Sequence, residues 1–180
     1  NDTVFTLDVE AGLGASLITR LQRFVLRAKV VMRVSDWTVR AFRGDSAVTA
    51  VGQGSGRAVP YWGGEDAVDV IGEVADLPVV GKETEVPHID MYRVEAQWPR
   101  VGLDILVGDI PATTGVVSVA VSFSKGCYPG QELVERMDSR GANAPVRVVA
   151  LSRDGIGVGA RLQADGKDVG TVTSIGFTRA

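Results

Sequence analysis

Apolar residues recur along the chain with two periods, one typical of strands and one typical of helices. Short apolar or alternating runs predict strands in the first two thirds of the chain: Val4–Val9, Ala28–Val34, Thr38–Phe42, Ala67–Ile71 and Val117–Phe123. Helical spacing predicts three helices: Ala15–Phe24, His88–Trp98, and a segment after Pro129 with Leu133, Val134 and Met137 on one face. Residues 44–64 are rich in glycine, serine and alanine, which predicts a loop with short strands. This mixture indicates an α+β chain.

The pattern changes after Arg140. Gly141–Pro145 breaks the helical spacing with glycine, asparagine and proline, which predicts a hinge or linker. Beyond it the pattern predicts three strands, the last two joined by a hairpin turn at Asp165-Gly166: Val146–Leu151, Ala160–Gln163 and Val169–Ile175. Three strands cannot close a barrel, so we expect either further chain here or packing on the preceding part. The sequence therefore predicts one domain over residues 1–142 and a β-rich part over residues 143–180.

Composition and charge exclude several classes of protein. The chain has 180 residues, 45% of them hydrophobic, which is enough to bury a core. The formal net charge is −3 and acids and bases are mixed along the sequence, so we expect no nucleic-acid partner. No uninterrupted apolar stretch reaches the ~18 residues of a membrane-spanning helix, so we expect no membrane association. Because the chain opens at Asn1 without a methionine, we expect it to be part of a longer protein.

A single cysteine, Cys127, limits the redox and metal chemistry of the chain. One cysteine excludes an internal disulfide and a cysteine-cluster metal site, so a reducing, cytoplasmic setting is the expected one. Cys127 lies in a turn rich in glycine and proline, two residues after Lys125 and ahead of a predicted helix. The partial positive charge of a helix N-terminus and the lysine ammonium both favour thiolate over thiol. Cys127 is therefore either a reactive or ligand-contacting thiol, or the small buried hydrophobe that free cysteines usually are.

Two stretches resemble a known family. Residues 125–132, K-G-C-Y-P-G-Q-E, resemble the K-G-C-[YF]-x-G-Q-E signature of YgfZ-type proteins, which bind tetrahydrofolate and support the assembly or repair of iron–sulfur enzymes. Residues 93–104 are similar to the R-x-E-A-G-x-x-x-x-G-x-[DE] segment that this family shares with the aminomethyltransferases (T-proteins) of the glycine cleavage system, although Gln97 replaces one glycine. Aminomethyltransferases characteristically carry aspartate at the position of Cys127, so the cysteine favours the YgfZ family.

The resemblance implies a fold and a set of site residues. The fold would be aminomethyltransferase-like, with mixed sheets and helices around a folate site, followed by a small C-terminal β-barrel and incomplete at both ends. Glu95 would bind the pterin, since a carboxylate accepts two hydrogen bonds from an aminopyrimidinone edge. Arg93 would orient that carboxylate or cover the helix with its stem. Lys125 would meet the polyglutamate tail or bias the Cys127 thiol, and Tyr128 would belong to the same cofactor site.

The implied function is that of an accessory protein without classical turnover. It would bind tetrahydrofolate, hold no metal of its own, and use Cys127 as a required thiol in contacts with iron–sulfur client enzymes or assembly proteins. A folate-dependent aminomethyltransferase or another one-carbon transferase is the alternative. A third interpretation is a scaffold that keeps the fold and binds no folate; Glu95 would then be an ordinary helical glutamate and Lys125 a solvated lysine.

Overall fold

A computed structural model describes residues 3–52, 57–58, 62, 66–141 and 144–180. Within them the chain is a mixture of helices and short strands. The helices are α1 (Gly14–Gln22), α2 (Ala47–Val51), α3 (Val86–Glu95), α4 (Val117–Ala120) and α5 (Gln131–Ser139), with 3-10 turns at Val74–Asp76 and Pro111–Thr114. The strands are β1 (Thr38–Arg43), β2 (Arg57–Ala58), β3 (Ala67–Gly72), β4 (Arg161–Ala164) and β5 (Lys167–Thr171). Among the described residues, no helix has the length and apolar character needed to cross a membrane.

The first sheet is antiparallel, with strand order β1-β3-β2 and β3 in the centre. Ala67, Val68 and Val70 of β3 are buried, and the Val68 side chain is fully excluded from solvent. Arg43, at the end of β1, forms a 2.7 Å ion pair with Asp69, and its guanidinium lies 4.1 Å from the centre of the Trp62 ring. The strands predicted at 38–42 and 67–71 are confirmed, and they pair with each other in this sheet.

The second sheet is the hairpin of β4 and β5. Asp165 and Gly166 have φ values of 51° and 72°, the positive angles that a tight type I′ hairpin turn requires at both central residues. The hairpin predicted at these two residues is therefore confirmed. Described residues 144–180 contain these two strands and a single bridge between Ser152 and Arg179, and they do not close a barrel.

Several other predicted strands are wrong. Residues 4–9, 28–34 and 146–151 have no regular secondary structure, and Val117–Phe123 begins with the short helix α4. Strand propensity reflects packing against a neighbouring strand, and no described strand pairs with these segments. Phe5 and Val31 are accordingly 84% and 94% exposed. The loop with short strands predicted at 44–64 contains the short strand β2, as expected, and also the helix α2, which was not predicted.

The three predicted helices are confirmed, with α3 ending at Glu95 rather than at Trp98. Helix α5 ends at Ser139, and Gly141 has a positive φ of 55°. Ala142 and Asn143, in the centre of the predicted hinge, lie outside the described residues. Beyond them the chain packs on the 3-10 turn Pro111–Thr114, where the Val148 amide donates a 2.8 Å hydrogen bond to the Thr113 carbonyl oxygen. The proposed division into two domains stays a prediction.

A buried ion pair, together with the hydrogen bonds around it, attaches residues 173–179, which we call the C-terminal segment, to α3. Arg93 Nη1 lies 2.7 Å from Asp104 Oδ2, and these side chains are 9% and 4% exposed. Asp104 Oδ1 accepts hydrogen bonds from Ser174 Oγ at 2.5 Å and Thr173 Oγ1 at 2.6 Å, while Arg93 Nη2 donates to Ser174 Oγ at 3.0 Å. Burial alone would raise the pKa of Asp104, but the Ser174 and Thr173 hydrogen bonds and the Arg93 charge outweigh it, so the pKa lies below its usual value.

Replacing Asp104 by asparagine should destabilise the protein by about 3 kcal/mol. Removal of one partner from a buried ion pair costs about 3–5 kcal/mol, because the other charge stays buried. The lower end applies because Asp90 still forms an ion pair with Arg93. Urea unfolding measures the loss.

The matched control is Glu132→Gln, which breaks the exposed ion pair with Arg136 one helical turn away on α5. Such a pair contributes about 0.2–0.5 kcal/mol. If Asp104→Asn costs no more than Glu132→Gln, the buried pair does not hold the C-terminal segment in place.

Candidate functional site

Cys127 lies in a surface turn that leads into α5. We call residues 123–130 the thiol turn. The turn is closed by two hydrogen bonds: the Gln131 amide donates to the Tyr128 carbonyl oxygen at 3.2 Å, and the Tyr128 amide donates to Gln131 Oε1 at 3.4 Å. Gly130, just before the helix, has φ 85°, a conformation that glycine adopts without strain. Cys127 is exposed, which rules out the buried interpretation of the thiol.

The approach to the thiol turn differs from the prediction. The alternating pattern of Val117–Phe123 predicted a strand running into the turn. The structure has instead the helix α4 (Val117–Ala120), and residues 121–130 have no regular secondary structure. The 3-10 turn Pro111–Thr114 ends at Gly115, which has a positive φ of 75°, and α4 begins two residues later; no described strand pairs with residues 117–123. Cys127 therefore lies between two helices.

Lys125 and Tyr128 contact each other within the thiol turn. Lys125 Nζ lies 5.0 Å from the centre of the Tyr128 ring, within the range of a cation–π interaction. The hydroxyl oxygen of Tyr128 is buried, and none of the described residues hydrogen-bonds to it. Burial raises the pKa of Tyr128, and the negative charges of Glu135 and Asp138 on α5 raise it further. The Tyr128 ring therefore has the lysine ammonium near its face, and its buried hydroxyl experiences the negative charges of α5.

Glu95 is bound to the C-terminal segment. Its Oε1 accepts hydrogen bonds from the backbone amides of Thr178 at 2.6 Å and Arg179 at 3.2 Å, and its Oε2 accepts one from Thr178 Oγ1 at 2.7 Å. Glycine at position 176 leaves room for the Glu95 carboxylate, because a Cβ atom there would lie 2.5 Å from Glu95 Oε1. The carboxylate is thus already occupied by the chain itself. Its assignment to the pterin stays a prediction, and a pterin would compete with these donors.

Arg93 does not orient Glu95. Its hydrogen bonds go to the carboxylates of Asp90 and Asp104, to Ser174 Oγ, and to the Trp98 carbonyl oxygen at 2.5 Å. Residues two apart on a helix point to different faces, so Arg93 and Glu95 reach different parts of the C-terminal segment. No hydrogen bond or ion pair among the described residues joins either of them to the thiol turn. The structure therefore places the five predicted site residues in two separate groups.

A cleft of about 370 Å³ lies between the 3-10 turn Pro111–Thr114, α4 and α5. Its walls are mostly apolar and include Val134 and Met137 of α5, and Asp138 and Arg147 are among the residues that line it. No sequence motif marks this cleft, since the residues that line it come from separate segments of the chain. Across the described part of the chain, no group of three or more histidine, cysteine, aspartate or glutamate side chains is arranged to hold a metal ion.

Comparison with known proteins gives partial matches. No family model matches the chain, and no solved structure matches it significantly. Over 80 residues, 44% of this chain and 23% of the relative, it is 35% identical to the tRNA-modifying protein YgfZ of Yersinia enterocolitica. An uncharacterized protein of Haemophilus influenzae is 25% identical in an alignment of 180 positions that covers 94% of this chain and 61% of the relative. The chain spans less than two thirds of the length of each relative. Its similarity to YgfZ covers 44% of the chain.

Acid should destabilise the protein through Glu95. Burial alone would raise the pKa of Glu95, but the hydrogen bonds from Thr178 and Arg179 lower it below its usual value. The folded state then binds fewer protons than the unfolded state, so this stabilisation is complete above about pH 5 and is lost as pH falls through the folded pKa.

Glu95→Gln should be less stable than the parent protein near neutral pH and should lose less stability on acidification. Urea unfolding between about pH 7 and about pH 3 measures both effects. The variant should still lose some stability in acid, through groups such as Asp104, whose pKa is also lowered. Identical pH profiles for the two proteins would show that the Glu95 hydrogen bonds do not stabilise the folded state.

Proposed function

We propose that this chain is part of a tetrahydrofolate-binding protein that supports iron–sulfur enzymes, with Cys127 as its required thiol. The observation that carries the proposal is the exposure of Cys127 in the K-G-C-Y-P-G-Q-E turn, at the start of α5. A structural cysteine would be expected in the core, where free cysteines usually lie. An exposed thiol among glycines at a helix start is accessible to a partner protein or a small molecule.

The comparisons support the family and suggest a class of client. The Yersinia relative is named for tRNA modification, so tRNA-modifying enzymes are the iron–sulfur clients that we propose first. The protein would act on such enzymes rather than catalyse turnover itself. Cysteine at position 127, where aminomethyltransferases characteristically carry aspartate, makes the one-carbon transferase the less favoured alternative.

The Glu95 group suits the chemistry of a pterin. Thr178 donates to both oxygens of the Glu95 carboxylate, through its amide and its hydroxyl. The edge of an aminopyrimidinone ring also offers two adjacent N–H donors, which a carboxylate accepts as a pair. Tetrahydrofolate would therefore replace Thr178 as the donor pair, and the 176–179 segment would have to move. When bound, the folate would supply one-carbon chemistry; Glu95 would hold and orient its ring.

Cys127→Ser should abolish support of iron–sulfur enzymes and leave folding intact. The side chain is exposed, so its replacement removes no buried contact. Iron–sulfur enzyme activity, measured in cells whose only copy of the full-length protein carries the substitution, gives the result. Ser124→Ala, in the same turn, is the matched control and should retain activity. A serine variant that supports these enzymes as well as the parent protein would refute a role for the thiol.

Two substitutions should change tetrahydrofolate affinity in opposite directions. Glu95→Gln removes the charged acceptor and should weaken binding. Thr178→Val removes the hydroxyl donor that competes for the carboxylate and should strengthen binding about fivefold, the effect of one hydrogen bond of about 1 kcal/mol. Calorimetric titration of the chain measures both, with the exposed Thr171→Val as a control. Absence of binding at millimolar tetrahydrofolate would exclude the folate proposal, and weaker binding by Thr178→Val would exclude the exchange of donors.

A further inference from the structure

We propose that the cleft between the 3-10 turn Pro111–Thr114, α4 and α5 binds a small zwitterion with an apolar side chain, of the class of the free apolar amino acids. In this arrangement Arg147 binds the carboxylate, Asp138 binds the ammonium group, and the apolar walls receive the side chain. The proposal goes beyond the proposed function, because it requires neither a folate at Glu95 nor the Cys127 thiol.

The first step of the argument is the form of the cleft. Its volume of about 370 Å³ lies within the range of small-molecule sites, roughly 300–1,000 Å³. Val134, Met137 and Asp138 of α5 are spaced i, i+3 and i+4, so they share one face of the helix. The 3-10 turn and α4 add the apolar groups of Pro111, Ala112 and Val117. Such a site holds a ligand mainly by its apolar part and orients it with a few polar groups.

The second step is that the segment carrying Arg147 is attached to the 3-10 turn. Thr113 is buried, and its carbonyl oxygen accepts a 2.8 Å hydrogen bond from the amide of Val148, the residue after Arg147. The same segment passes close to Gly115, where a Cβ atom would lie 3.4 Å from the Val148 carbonyl oxygen. The backbone at Arg147 is therefore held beside the turn that forms one wall of the cleft.

The third step is the charge of the cleft. Arg147 and Asp138 are exposed, and both line it. Neither side chain forms a hydrogen bond or an ion pair with any described residue, the other one included. A simple anion would meet attraction from Arg147 and repulsion from Asp138, and a simple cation the reverse. A free amino acid carries both charges on one carbon atom, so it satisfies both side chains at once.

The test titrates the full-length protein with L-leucine and observes backbone amide signals by NMR, which measures the Kd and locates the ligand. Leucine should bind with a Kd of about 1 mM, the range for a ligand with so few non-hydrogen atoms. It should move the amide signals of residues 112–118 and 134–141, which line or adjoin the cleft.

Three analogues separate the parts of the ligand. Leucinamide lacks the carboxylate and N-acetylleucine lacks the ammonium group, so each should bind about two- to fivefold more weakly than leucine, the range for one exposed charge interaction. Glycine keeps both charges and lacks the apolar side chain. It should bind more than about tenfold more weakly, because each buried methylene group strengthens binding by a factor of about four.

Two substitutions should each act on one part of the ligand. Arg147→Gln should weaken leucine and N-acetylleucine by about two- to fivefold and should not weaken leucinamide. Asp138→Asn should weaken leucine and leucinamide to the same extent and should not weaken N-acetylleucine. Because both side chains are exposed, neither change removes a buried contact. Arg140→Gln, which removes an exposed arginine that does not line the cleft, is the control and should leave every affinity unchanged.

Several results would overturn the proposal. Absence of leucine binding at about 20 mM, or changes in amide signals only outside the cleft, would exclude this site. Equal affinities for leucine and N-acetylleucine would show that Asp138 takes no part, and equal affinities for leucine and leucinamide would show the same for Arg147. Glycine that binds as well as leucine would exclude the apolar walls. The proposed function is tested separately, by Cys127→Ser and by tetrahydrofolate titration, and stands or falls whatever binds in the cleft.

Discussion

The buried ion pair between Arg93 and Asp104 is the interaction on which the arrangement of the described chain depends. An unpaired guanidinium with this little exposure would be strongly unfavourable, so Arg93 requires Asp104 and the Ser174 hydroxyl close by. Those two groups come from a loop after α3 and from the C-terminal segment. The need to neutralise and solvate one buried cation therefore brings together α3, the loop that follows it, and the C-terminal segment, whose Ser174 lies 81 residues beyond Arg93.

Glu95 makes a second attachment of the same kind, one half-turn further along α3. Its carboxylate binds the 178–179 backbone, and Tyr92 packs edge-on against Phe177 with ring centres 5.2 Å apart. Glu95, which the resemblance assigns to a cofactor, therefore also holds the C-terminal segment against α3. The two roles are reconciled if the cofactor exchanges with Thr178, since both present paired donors to the carboxylate. Binding and the position of the C-terminal segment would then be coupled.

The thiol turn is organised by shorter-range contacts than the Glu95 group. A glycine with positive φ and the reciprocal Tyr128–Gln131 hydrogen bonds set the backbone, and the Tyr128 ring of the turn contacts the Lys125 ammonium. All of these contacts lie within seven residues of sequence. This explains why the motif is a short continuous run of residues.

The sequence by itself determined the local elements: the helices α1, α3 and α5, the strands β1 and β3, the hairpin, and the turn that carries the cysteine. Periodicity, turn residues and helix starts depend on neighbours a few positions away. Only the tertiary structure decided that the apolar segments at 4–9 and 28–34 are not strands, because a strand needs a partner that its own pattern does not name. It also decided the partners of Arg93 and Glu95, which lie 81 and 83 residues away at Ser174 and Thr178. Serine and threonine carry no periodic signal, so their pairing with these charges is settled by packing alone.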